Sequence, residues 1–176
     1  MSKNSLMQKI VDTSTKIKSL DELQKIVSLL RSENKNIVFT NGCFDILHLG
    51  HVKLLEKAKG FRDVLIVGVN SDSSIKHLKG NDRPINTQEE RLGIIAALEC
   101  VTYVICFNES TPINLISQLK PDIHVKGGEY NPNDYAKMPE AEVIHAYGGE
   151  VRIVPNVVGK STTNVIEKIL KTHSNH

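Results

Sequence analysis

Apolar residues fall along this chain in two rhythms. Short continuous runs at 37–40, 64–69, 101–107, 122–126 and 151–154 read as strands. The unbroken apolar run 64–69 suits a parallel strand buried on both faces. Between the runs, apolar residues recur at helical spacing. The sets are Leu23, Ile26, Val27 and Leu30; Val52, Leu54, Leu55 and Ala58; Leu92, Ile95, Ala96 and Leu98; and Val165, Ile166, Ile169 and Leu170.

Punctuation agrees with this pattern. Ser19-Leu20-Asp21-Glu22 and Thr87-Gln88-Glu89-Glu90 are capping boxes. Thr111-Pro112 reads as an N-cap followed by a first helical proline, in a helix ending at Lys120-Pro121. A helix is expected over 134–146, stopped by Gly148-Gly149, and another starts at Ser161-Thr162-Thr163. Strands alternating with helices predict an α/β fold with a five-stranded parallel sheet and helices on both faces. Residues 1–18 are weakly patterned and expected to be loosely ordered. Residues 19–176 are expected to form a single domain with an N-terminal helical extension. The polar segment 70–86 reads as a long loop.

Chemistry concentrates after the first strand. Gly42 is read as permitting a tight turn where a ligand comes close. His48 and His51 are three apart at the start of the next helix, on one side of its first turn. Helix N-termini offer unpaired N–H groups and partial positive charge, which suit phosphate. The plainer alternative is a pair of capping or surface histidines. A metal site is disfavoured, since no third ligand stands nearby at a usual spacing. A second candidate is Gly159-Lys160-Ser161, between a strand and a helix. It is not a P-loop, because the glycine needed five positions earlier is Val154. Ser161, Thr162 and Thr163 still place hydroxyls at a helix start, as plain caps or as phosphate ligands. Ligands in parallel sheets bind beyond the carboxyl ends of strands. That rule collects His48, the segment after Asn70, Lys126-Gly127-Gly128 and Ser161 around one crevice.

Composition narrows the function. A net charge of +2 gives no basic patch for nucleic acid, and the absence of tryptophan argues against a stacking platform. Cys43, Cys100 and Cys106 form no C-x-x-C, which favours a reducing, cytoplasmic setting over a disulfide scaffold. No apolar run is long enough to span a membrane, and no signal-peptide core is expected at the start. His124 is expected in the core or at the edge of its strand, and His145, His173 and His176 at the surface.

Gly42-Cys43-Phe44-Asp45 followed by His48-x-Gly50-His51 resembles the H-x-G-H signature of the small nucleotidyltransferases, and Gly159–Thr163 resembles their I-S-T-T signature. Within that superfamily, the stretches 39–48, 79–86, 125–130 and 159–163 look most like the adenylyltransferase domain of the bacterial heptose enzymes. The resemblance implies a Rossmann-like nucleotidyltransferase fold and a stand-alone domain without a sugar kinase. It implies transfer of AMP from ATP to D-glycero-β-D-manno-heptose 1-phosphate, giving ADP-heptose for lipopolysaccharide or surface-glycan synthesis. Two departures stand out. Asn156 occupies the place of an arginine that cytidylyltransferases carry, which leans away from CTP. Lys160 replaces the usual isoleucine, and either reaches a phosphate or points to solvent.

Carried onto this chain, the resemblance makes His48, His51 and Lys79 the catalytic candidates. Asn41, Gly42, Cys43, Phe44, Gly50, Arg91, Lys126, Gly127, Gly128, Ser161, Thr162 and Thr163 join the two histidines in nucleotide binding. Asp45, Lys79 and Arg83 are the substrate candidates, with Asp45 alternatively ordering its turn. Without the resemblance, Lys79 and Arg83 could equally be a solvated basic loop and Arg91 a surface ion-pair partner. Mg²⁺ is expected on the ATP, held mostly by phosphates and water. The expected partners are ATP, a sugar 1-phosphate and a second copy of the chain. Two other readings stay open: a cytidylyltransferase acting on glycerol 3-phosphate or a similar acceptor, and a non-catalytic nucleotide-binding module.

Overall fold

The computed structural model describes residues 12–128 and 138–173. Five parallel strands, β1 (Ile37–Gly42), β2 (Val64–Asn70), β3 (Tyr103–Phe107), β4 (Ile123–Gly127) and β5 (Glu150–Val154), lie in the order β3-β2-β1-β4-β5. The expected sheet is therefore present. Its order reverses between β1 and β4, which puts a crevice at their carboxyl ends.

Side chains alternate across the sheet as the pleat requires. Ile37 and Phe39 of β1 join Val64, Ile66, Ile105 and Phe107 in one core. The helices on that side are α1 (Leu20–Ser32), α5 (Ile113–Leu119) and α6 (Pro139–Ala146). Val38 faces the other core with Leu65, Val67, Val69 and Val104, beneath α2 (Leu49–Lys59) and α4 (Gln88–Ala96). Two polar groups in the sheet are satisfied across it. Thr40 Oγ1 donates to Val125 O at 2.8 Å, and Ile37 N–H donates to Asp122 Oδ2 at 2.7 Å. One joins β1 to β4 and the other joins β1 to the residue just before β4, so the switch point is also a tied seam. Gly68 leaves room for the Phe39 ring, which would lie 2.9 Å from an added Cβ.

Both capping boxes form: Ser19 and Glu22 start α1, and Thr87 and Glu90 start α4. Pro112 is the N-cap of α5 rather than its first helical residue. The segment 70–86 is not one loop. It contains α3 (Asp72–Lys79), capped by the Ser71 side chain, which accepts from Ser74 N–H. Residues 12–18 are ordered, against expectation. Thr13–Lys16 form a 3₁₀ turn, Ile17 bridges Val104, and Lys18 N–H donates to Val104 O at 2.9 Å. They cover the outer edge of β3, where an open edge would invite pairing with another chain. Residues 1–11, the 134–137 part of the expected helix, and Glu129 and Tyr130 lie outside the described residues, as does His176. No helix among the described residues is long and apolar enough to cross a membrane.

His124 is fully buried on β4, which lies inside the sheet, so it is a core residue. Its ring stacks on Phe39 with centroids 5.7 Å apart, and neither nitrogen has a hydrogen-bond partner among the described residues. Burial pulls its pKa below the usual 6.5; Glu140 opposes the shift and Lys126 adds to it. A group whose pKa is lowered by folding takes up its proton first in the unfolded chain. Stability from this residue is therefore complete above about pH 6.5 and is lost as pH falls below it. His124→Leu is expected to flatten the acid limb of a urea-midpoint profile by up to one proton, about 1.4 kcal/mol per pH unit at the steepest point. An unchanged slope would assign that limb to other groups, His51 among them.

Candidate active site

Four segments meet at the carboxyl ends of β1, β4 and β5. They form a cleft of about 260 Å³ lined by His48, Gly50, His51, Leu54, Lys79, Arg83, Gly127, the 154–157 turn and 160–163. Nine of the residues expected from sequence meet there: His48, Gly50, His51, Lys79, Arg83, Gly127, Ser161, Thr162 and Thr163. Larger hollows of about 570 Å³ flank α7 (Thr162–His173), but they hold neither histidine of the motif.

His48 is the N-cap of α2 and makes no side-chain cap bond, so its ring does not serve as a cap. One turn on, His51 lies beneath it, the two rings stacked with centroids 3.8 Å apart. Phe44 meets His51 edge-on at 5.2 Å. Nδ1 of each imidazole is buried without a partner among the described residues. Burial and the neighbouring His48 and Lys79 charges hold His51 neutral down to about pH 4. Burial and the Lys160 ammonium lower His48 too. At neutral pH the pair is therefore two uncharged imidazoles at the positive end of a helix. Such a pair can donate to an anion without adding fixed charges.

Gly50 is required by that stack. A Cβ there would stand 3.0 Å from His48 Nδ1 and 3.1 Å from its Cε1. Gly50→Ala suits a helix, and is expected to leave stability unchanged or raise it by up to about 1 kcal/mol. Displacement of the His48 ring should nevertheless cost about 10- to 100-fold in kcat. Thermal unfolding and turnover on one preparation read both effects. A fall in both together would mean a general packing defect.

The basic side of the cleft comes from α3 and the turn after it. Lys79 ends α3, and Gly80 follows at φ +93°. Arg83 is anchored: its Nε donates to Asp45 Oδ2 at 2.5 Å, while Nη2 is buried and unpartnered among the described residues. Asp45 Oδ1 accepts from Ile85 and Asn86 N–H at 2.7 and 3.0 Å. With 1% of its surface exposed and its carboxylate bonded to Arg83, Ile85 and Asn86, Asp45 orders the turn and is not among the residues lining the cleft. Among the described lining residues the cations are Lys79, Arg83 and Lys160, and none is a carboxylate.

Several expected ligands lie elsewhere. Arg91 is 0% exposed and faces inward, donating to Asn86 O, Cys43 O, Asn70 O and Asp72 Oδ1. It builds the site without lining it. Gly42 belongs to β1, and the missing side chain makes room for the Phe44 ring rather than a ligand, since an added Cβ would meet that ring at 3.1 Å. Phe44 itself, at φ +48°, is buried in the core. Asn41 and Cys43 do not line the cleft; burial raises the Cys43 thiol pKa, so it is no poised thiolate. Lys126 extends to Glu140, with Nζ to Oε1 at 2.8 Å. Gly128 N–H is taken by Val154 O at 3.0 Å. Sequence reading placed no ligand at Leu54, Val154, Pro155 or Val157. Leu54 packs against Gly127, a contact between helix and strand end that no local motif signals.

At α7, Ser161 Oγ accepts from Asn164 N–H at 3.1 Å as a true cap, leaving its hydroxyl hydrogen to donate into the cleft. No group of His, Cys, Asp and Glu suited to a metal stands among the described residues.

Comparison with known proteins agrees with this geometry. The cytidylyltransferase-like family model matches residues 39–168. The bifunctional protein HldE of Geobacter sulfurreducens is 52% identical over 158 residues, covering 90% of this chain and 32% of that protein. Its Geobacter metallireducens counterpart is 50% identical over 162 residues, covering 92% and 32%. The chain thus spans about a third of the length of these curated relatives. The crystal structure of the lipopolysaccharide core biosynthesis protein from Thermoplasma volcanium GSS1 superposes with a TM-score of 0.56 at 32% identity, covering 70% of this chain and 97% of that one. Pantoate-beta-alanine ligase from Francisella tularensis, at 16% identity and TM-score 0.58 over 88% of this chain and 78% of its own, shares the fold.

Proposed function

The chain belongs to the cytidylyltransferase-like family, and from that membership we propose that it transfers AMP from ATP to D-glycero-β-D-manno-heptose 1-phosphate, releasing pyrophosphate. The observation that carries the reaction class is the cleft itself. Stacked neutral imidazoles at one helix start, hydroxyls at another and three cations, with no carboxylate among the described lining residues, suit a polyphosphate. The heptose acceptor rests on the resemblance of 39–48, 79–86, 125–130 and 159–163. The likeness to a lipopolysaccharide core biosynthesis protein supports a place in surface-glycan synthesis.

The chemistry needs little from the protein beyond placement. A non-bridging oxygen of the sugar phosphate, already ionised near neutral pH, bonds to the α-phosphorus. The bond from that phosphorus to the α,β-bridging oxygen breaks, and pyrophosphate leaves with the electron pair. No general base is required, and catalysis is positioning plus charge stabilisation. His48 and His51 face the α-phosphorus, where charge develops. Ser161, Thr162 and Thr163 hold the outer phosphates. Lys79 and the unpartnered Arg83 Nη2 bind the triphosphate or the acceptor phosphate. A Mg²⁺ ion would enter with ATP, held by phosphates and water, since the described lining residues include no carboxylate to cage it. When bound, that ion neutralises part of the phosphate charge. ATP and a sugar phosphate as substrates fit a cytoplasmic enzyme.

The test is pyrophosphate release with Mg²⁺, ATP or CTP, and heptose 1-phosphate or glycerol 3-phosphate. Release only with ATP and the heptose is expected. Release with CTP and glycerol 3-phosphate would overturn the substrates and keep the reaction class. Nucleotide binding with no release in any combination would leave a binding module.

A further inference from the structure

The turn from β5 into α7 fixes the backbone of Lys160. Its N–H donates to Val157 O at 3.1 Å, closing a tight turn in which Gly159 holds φ +71°. Glycine adopts that left-handed conformation without steric cost. Asn164 Nδ2 donates back to Gly159 O at 3.2 Å, and the Ser161 cap follows directly. The residue is therefore held from both sides by bonds local to the turn and the helix start.

Its side chain sets out over α2. Lys160 Cβ lies 3.4 Å from where a Gly50 Cβ would stand, and it shares the cleft with His48, Ser161 and Thr162. The ammonium is close enough for its charge to be felt at His48. Among the described residues no carboxylate pairs with it. Arg83, by contrast, has one edge committed to Asp45. Lys160 is thus an exposed cation on the α7 side of the cleft, without a carboxylate partner among the described residues and beside hydroxyls suited to the outer phosphates. A lysine ammonium is a compact charge on a flexible stem, and can follow a group that moves.

We propose that Lys160 is a further ligand for the β- and γ-phosphates of the nucleotide, and after transfer for the departing pyrophosphate. The residue before Ser161 then sets how tightly the enzyme holds that product. The assignment rests on the nucleotide-transfer reading above and adds to it a residue that governs pyrophosphate affinity.

Calorimetric titration of wild type, Lys160→Met and Lys160→Arg with Mg²⁺-pyrophosphate, Mg²⁺-ATP and AMP tests it. Lys160→Met is expected to lose about tenfold in affinity for pyrophosphate and ATP, the size of one charge-assisted hydrogen bond. AMP, which lacks the outer phosphates, should bind as before, and Lys160→Arg should recover most of the loss. Unchanged pyrophosphate affinity in Lys160→Met would overturn the assignment. So would an equal loss for AMP, which would mark a general field or folding effect. A wild type that binds none of the three would instead bring down the nucleotide reading, and this assignment with it.

Discussion

His51→Ala is expected to lower kcat by about 100- to 1,000-fold, the usual cost of removing one donor aimed at developing charge. The fold should survive. His51 sits in the first turn of α2, between His48 and Phe44, and neither neighbour depends on it for a hydrogen bond. Truncation removes ring contacts and a buried, unpartnered Nδ1, so losses and gains in stability partly offset. The kinetic signature is specific. If the imidazole acts mainly in the transition state, kcat and kcat/KM fall together; a rise in KM alone would make it a ground-state ligand. The pH profile adds a second constraint. Because burial and nearby positive charge hold His51 neutral to about pH 4, its protonation should not set a limb of kcat/KM between pH 5.5 and 8. Wild-type turnover by a folded His51→Ala protein would remove His51 from the mechanism.

What the chain disclosed in advance follows from how local each signal was. The His48–His51 stack was legible because three-residue spacing at a helix start fixes a shared side whatever the tertiary fold does. Ser161 could be read as a cap from its neighbours alone. The strands declared themselves by continuous apolar runs, and the carboxyl-end rule then gathered the segments. Helix α3 was hidden because it is short and holds only two apolar residues, Ile75 and Leu78, too few to establish a period. Residues 12–18 were hidden for a related reason, since their order comes from pairing with Val104, far along the chain. The roles of Asp45, Phe44 and Arg91 were the least legible. Each is set by partners from separate segments, and a motif gives residue types without saying which way they face.

Arg91 is the sharpest case. It reads as a phosphate ligand, being a cation near a helix start in a matching family, yet it is among the largest fully buried side chains of the protein. Its guanidinium donates to Asn70 O at 2.6 Å, Asp72 Oδ1 at 2.7 Å, Cys43 O at 2.8 Å and Asn86 O at 3.1 Å. One side chain thus joins the turn after β1, the end of β2, the start of α3 and the turn that carries Arg83. Arg91→Met keeps the bulk but leaves three carbonyls without this donor and Asp72 without its ion pair. The expected loss is about 3–5 kcal/mol, read as a lower urea midpoint. Arg91→Lys should recover little of it, because one ammonium cannot span a planar fork of four acceptors. Activity should fall with stability, since Asn86 also donates to Asp45 O, at 2.5 Å, and Asp45 anchors Arg83. The competing outcome is well separated. If Arg91→Met kept its urea midpoint and only raised KM for ATP, the guanidinium would have to reach the nucleotide directly, and the buried network would not be what holds the cleft in place.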